Sequence, residues 1–176
     1  LTLLPHSKKF KEKSLKLKAD GKDINTLHKL ILAAYTSPAD SFTITTDKGL
    51  DFAKILTQKT LLSLELIEFE GKKITCDSTL HVDEPHSLLV TLLRKVKNLL
   101  LMIGKKAPIE LIERYEDEID RGRILVEKAV FSALINPMNS NKKAIELHFI
   151  ALISKELERV ADHLIAIEGL SKKQEL

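Results

Sequence analysis

The chain has 176 residues, 44% hydrophobic and 30% charged, with 28 basic and 25 acidic side chains for a formal net charge of +3. This is a globular composition with apolar material for one large or two small cores, and it excludes an intrinsically disordered chain. The near balance of charge argues against non-specific nucleic-acid binding by the chain as a whole, and the single cysteine, Cys76, excludes an intrachain disulfide.

Residues 1–13 combine an apolar run, Pro5 and a lysine-rich segment (Lys8, Lys9, Lys11, Lys13). They read as a linker or the remnant of an upstream domain. From 14 to 80 the pattern is that of a small α+β domain. Leu15, Leu17 and Ala19 alternate with lysines, a half-buried strand. Asp20-Gly21 turns the chain, and Asp23 caps a helix with Ile24, Leu27, Leu30, Ile31 and Ala34 on one face. Ser37-Pro38 stops that helix. SFTITT (41–46) is a strand, 48–60 has helical spacing, and 64–70 with 73–77 form a hairpin around Gly71-Lys72. The expected order is β-α-β-α-β-β, a sheet with two helices covering one face.

From Asp83 the period changes to that of helices. Glu84-Pro85 opens the first, whose stripe of Leu88, Leu89, Leu92, Leu93, Val96, Leu99, Leu100 and Ile103 ends at Gly104. Pro108 opens the second, which Asn136-Pro137 breaks. Asn139 or Ser140 caps the third, which runs to about Glu168, with Gly169 as its stop. Three helices with short connections predict an all-α antiparallel three-helix bundle over 83–170, followed by a tail at 171–176. No run is apolar enough to span a membrane, the richest stretch (88–103) being broken by Arg94, Lys95 and Lys97, and no secretory leader pattern is present. A cytoplasmic protein without membrane insertion is expected.

Two acidic pairs stand out. Glu116 and Asp120 in YEDEIDRGR, and Glu158 and Asp162 in KELERVADHLIAIE, each lie four residues apart and so on one helix face. Glu127 falls on the same stripe as Asp120. Paired carboxylates on neighbouring helices suit hard or borderline cations (iron, zinc or magnesium), which take oxygen ligands. The bland alternative is a solvated acidic face, with Arg114, Arg121 and Arg123 in ordinary surface ion pairs. The third helix has an apolar arc too wide for a surface helix (Leu157, Val160, Ala161, Leu164, Ile165, Ala166, Ile167), which predicts burial on more than one side and a homodimer. His163 reads as a packed core histidine. Ile145 and Val160 stand three residues before His148 and His163, so the Glu-x-x-His pattern of di-iron bundles is absent. Cys76 reads as inert and buried. No phosphate-binding glycine loop, Gly-x-Ser-x-Gly or Cys-x-x-Cys occurs, so an enzyme is not expected, and a metal-dependent enzyme is the weakest of the readings.

ELERVADHLIAIEGL and YEDEIDRGRILVEKA resemble the paired helical signatures of PhoU-like phosphate-uptake regulators, whose Glu/Asp-x-x-x-Asp motif falls here on Glu116/Asp120 and Glu158/Asp162. The resemblance covers roughly 84–170. In the archaeal branch of that family a small α+β domain precedes the helices, often behind an AbrB-like DNA-binding domain, and LTLLP looks like the closing strand of one. The resemblance implies a regulator of phosphate uptake that acts by protein–protein contact, with metal at those four acids. The implied partners are the ATPase subunit of a phosphate transporter or a signalling component. The alternative it implies is a transcriptional regulator, with this chain as the dimerisation and sensing part and DNA bound only through an upstream domain. Full-length family members have two three-helix repeats and four acidic motifs. This chain has one repeat and two motifs, so the resemblance implies either a multinuclear cluster completed by a dimer or no such cluster.

Overall fold

The computed structural model describes residues 14–37, 39, 41–49, 67–77, 84–135 and 142–174. A small sheet lies in the N-terminal part and helices make up the rest: β1 (Ser14–Lys18), α1 (Ile24–Thr36), β2 (Ser41–Thr45), β3 (Ile67–Glu70), β4 (Lys73–Asp77), α2 (Pro85–Gly104), α3 (Ile109–Ile135) and α4 (Ala144–Gln174). The expected linker at 1–13, most of the expected helix at 48–60, and the caps Asn139 and Ser140 lie outside the described residues. No strand occurs among the described residues after 83.

The sheet has strand order β1-β2-β4-β3. β1 and β2 are parallel, which requires a crossover, and α1 supplies it. The crossover helix starts where Asp23 accepts from the Thr26 backbone N–H at 2.8 Å. β4 runs antiparallel to both β2 and β3. Between β3 and β4 the chain turns at Gly71, whose φ of 56° is a left-handed conformation that glycine adopts without steric cost. The alternation read from the sequence is why Phe42 and Ile44 of β2 and Ile74 and Cys76 of β4 are all buried, against Leu27, Ile31, Ala34 and Tyr35 of α1.

α2, α3 and α4 pack pairwise on one another. Their shared core includes Leu92 and Leu99 from α2, Ile112, Ile119 and Val126 from α3, and Leu147 and Ala161 from α4. Burial of each large side chain contributes about 1.5–3 kcal/mol. Glu84, just before α2, pairs with Lys142, just before α4, at 3.1 Å. The two helices therefore start at the same end and run in parallel, with α3 antiparallel to both. Gly122 on α3 lets α2 approach closely, since a Cβ there would lie 3.1 Å from Leu92 Cδ1.

α2 ends at Gly104, as the sequence predicts, and the left-handed residue that turns the chain after it is Lys106, at φ 53°. Its N–H donates to Ile103 O and the Ala107 N–H to Met102 O, so the turn is fixed by hydrogen bonds and not by a glycine. Gly169 does not stop α4, which continues to Gln174 through what was expected to be a tail. One glycine costs a helix only about 1 kcal/mol. At the other end α4 begins at Ala144, where Glu146 Oε2 accepts from the Lys143 N–H at 3.1 Å, the reach-back half of a capping box.

The two halves share α3. Ile124 of α3 is buried in the core under the sheet, among the residues of α1, β2 and β4. One turn on, Lys128 is only 3% exposed. Its Nζ donates to the Tyr35 carbonyl oxygen at 2.8 Å and lies 4.7 Å from the centre of the Tyr35 ring. A buried ammonium is tolerated only when it is well partnered, and here a carbonyl and an aromatic face are among its partners.

Lys128→Met keeps the aliphatic stem and removes the donor from a buried carbonyl. It should lower stability by about 1–3 kcal/mol in a urea titration. Gly122→Leu should cost about 1–3 kcal/mol in a thermal melt, because Leu92 is fully packed and has no room to retreat.

Candidate functional site

The site is a stripe of charge where α3 lies antiparallel to α4. On α3 it comprises Glu116, Asp120, Arg123 and Glu127, spaced four, three and four residues apart and therefore on one face. On α4 it comprises Lys155, Glu158 and Asp162, spaced three and four apart. The antiparallel register brings them into order: Glu127 Oε1 lies 3.5 Å from Lys155 Nζ, and Arg123 Nε lies 3.6 Å from Glu158 Oε1. Arg123 Nη1 also donates to Glu127 Oε2 at 2.9 Å. Further along the seam, Asp120 feels the negative charge of Glu158, Asp162 and Glu116. All four acids singled out from the sequence are thus brought into one electrostatic neighbourhood.

Burial grades along the stripe. Glu116, Asp120, Arg123, Glu127 and Glu158 are half-buried and Asp162 is exposed. Loss of hydration, followed by repulsion from Glu158, Asp162 and Glu116, pushes the Asp120 carboxyl up to about 6 against a partial offset by Arg123. Burial also raises Glu158. There Asp162 and Glu127 add to the rise while Arg123 and Lys155 oppose it. Arg123 Nε is fully buried without a hydrogen-bond partner, since 3.6 Å to Glu158 is an ion pair and not a hydrogen bond. Of the carboxylates in this seam, Glu127 and Glu158 pair with Arg123 and Lys155.

Among the described residues no three His, Cys, Asp or Glu side chains are grouped closely enough to hold a metal ion as they stand. By chemistry the seam nonetheless fits one. Every donor is a carboxylate oxygen, and Asp120 would gain from a cation that relieves its repulsion. Glu116, Asp120, Glu158 and Asp162 are the residues that would hold it.

Two readings from the sequence need correction. Arg123 is not an ordinary surface partner but sits half-buried between Glu127 and Glu158. Its place could have been read from its position three residues after Asp120 and four before Glu127. His163 is not packed in the core but exposed, as is His148, which lies 5.9 Å from the Phe149 ring, centre to centre. Both histidines fall on the outer side of α4, away from the residues it buries. Lys95 and Glu118 pair at 2.8 Å across α2 and α3. Being largely solvated, that pair contributes little.

No known family, no curated protein and no solved structure matches this chain. Among the described residues no helix is long and apolar enough to cross a membrane.

Asp120 binds its proton more tightly folded (about 6) than unfolded (3.8). Ionising it therefore disfavours folding, and the penalty grows as pH rises from 3.8 to about 6 and is complete above that. Asp120→Asn should stabilise the protein by about 1–2 kcal/mol at pH 7.5. The gain should shrink as pH falls below 6 and vanish below pH 3.8, as read from unfolding midpoints of the two proteins across that range.

Proposed function

We propose that this chain is a regulator of phosphate uptake and homeostasis that acts by protein–protein contact, through a PhoU-like bundle formed by α2, α3 and α4. In this reading the acidic seam takes a divalent or ferric cation (iron, zinc or magnesium), and the loaded surface docks the ATPase subunit of a phosphate transporter or a signalling partner. One observation carries the reading. The two Glu-x-x-x-Asp pairs that resemble the family's signature lie on adjacent antiparallel helices and in one electrostatic neighbourhood. A solvated acidic face would have left Asp120 near its ordinary value. Half-burial with three like charges beside it instead gives a carboxylate for which a cation is the natural relief.

The cation's contribution would be charge: held by Glu116, Asp120, Glu158 and Asp162, it would offset the negative charge of the seam. The residues of this chain orient it. Arg123 holds Glu158 on one side of the seam, and Glu127 is held by Arg123 and Lys155.

The test is titration of the purified chain with iron, zinc and magnesium, followed by calorimetry, for the native protein and for Glu158→Ala combined with Asp162→Ala. Binding should be lost or weakened at least about tenfold in the double variant, since each carboxylate ligand supplies a full charge. It should also weaken between pH 7.5 and pH 5, where protons compete for Asp120. Equal binding by both proteins would refute the metal reading. The regulatory reading is checked separately: deleting the gene in its host should deregulate phosphate uptake, and unchanged uptake would count against it.

A further inference from the structure

The face of α4 opposite its buried side carries a second pattern that intrachain packing does not use. Ile145, Phe149, Leu152, Ile153, Val160 and Ile167 are all exposed, from 45% for Leu152 to 63% for Ile167. They follow a helical period and line one stripe from 145 to 167, about 33 Å long at 1.5 Å per residue. Glu156 and His163 complete the row. α4 buries Leu147, Ile150, Ser154 and Ala161 on the reverse side. A helix of this kind leaves a long apolar surface in water.

The spacing of the stripe is a palindrome. Outward from Glu156 in both directions, the row positions fall at four, seven and eleven residues: Leu152 and Val160, Phe149 and His163, Ile145 and Ile167. A stripe that reads the same from either end is complementary to a second copy of itself laid antiparallel. A two-fold axis at Glu156 sets each apolar position against another large side chain. We propose that this face pairs two copies of the chain, α4 against α4, antiparallel and centred on Glu156.

The charges at the centre suit that pairing. Glu156 and Arg159 already form an ion pair at 3.0 Å within one chain. Across the axis each Glu156 meets the other copy's Glu156, and the two arginines beside them bring the local sum to zero. A parallel pairing would instead set Phe149 against Phe149 and Ile167 against Ile167, a difference that cross-linking reads directly. The area is also sufficient. At about 200 Å² for a fully exposed large side chain, the stripe offers on the order of 600 Å² per copy. Two copies together thus reach the roughly 1,000 Å² that a specific interface requires. The inference does not depend on the phosphate-regulator reading, since the stripe lies off the acidic seam.

The experiment is sedimentation equilibrium of the native chain at micromolar concentration, with site-directed cross-linking. The expected mass is twice the 19.8 kDa of one chain. Phe149→Glu with Val160→Glu should weaken the dimer at least about a hundredfold by burying unpaired charge. Both positions are exposed in the single chain, and unchanged far-UV circular dichroism confirms that the variant is folded. In a second measurement, on otherwise native protein, Glu156→Cys should form an intermolecular disulfide under mild oxidation. Ile145→Cys should do so only when mixed with Ile167→Cys. A monomeric native protein would overturn the proposal. So would a dimer whose mass the double variant leaves unchanged, or one in which Ile145→Cys cross-links to itself.

Discussion

Like charges drawn into a half-buried seam repel one another, and something must hold them there. In this protein the guanidinium of Arg123 does so, reaching Glu127 on its own helix and Glu158 on the next. Arginine suits the position because its charge persists at any pH the protein meets and its planar fork can serve two carboxylates at once. The antiparallel register of α3 on α4 places it there, and the core residues Ile119, Val126, Leu147 and Ala161 set that register. Asp120 is half-buried beside Glu158, Asp162 and Glu116, and loss of hydration followed by their repulsion, against a partial offset from Arg123, raises its proton affinity.

Much of this was legible in the sequence. Alternation placed β1, β2 and the β3–β4 hairpin, and the helical period placed α1, α2 and α3 within a residue or two. The acidic pairs were visible because spacing of four on a helix is a geometric statement. The fixed points that escaped were of two kinds. Some depend on hydrogen bonds that no residue type announces: Lys106 takes a left-handed turn just after Gly104, and Glu146 reaches back to Lys143. Others depend on which side of a helix faces which neighbour. The apolar breadth of α4 was evident, but periodicity alone does not say which arc meets α2 and α3 and which is left in water. His163 was misplaced for that reason.

Lys128 is the clearest case of a residue whose role only tertiary structure reveals. In sequence it is one lysine among many on a charged helix. In the fold it faces away from the acidic seam, into the junction between α3 and α1, where a backbone oxygen and a ring meet its ammonium. Neighbouring positions on α3 thus do opposite work. Glu127 belongs to the seam, while Ile124 and Lys128 belong to the layer beneath the sheet.

Because α3 forms a wall of both cores, the sheet and the bundle are not beads joined by a tether. Ile124 and Lys128 tie α3 to α1 and the layer beneath the sheet, while Ile119 and Val126 of the same helix tie it to α2 and α4. For the same reason the molecule should melt as one cooperative unit, with no stage at which the sheet survives alone.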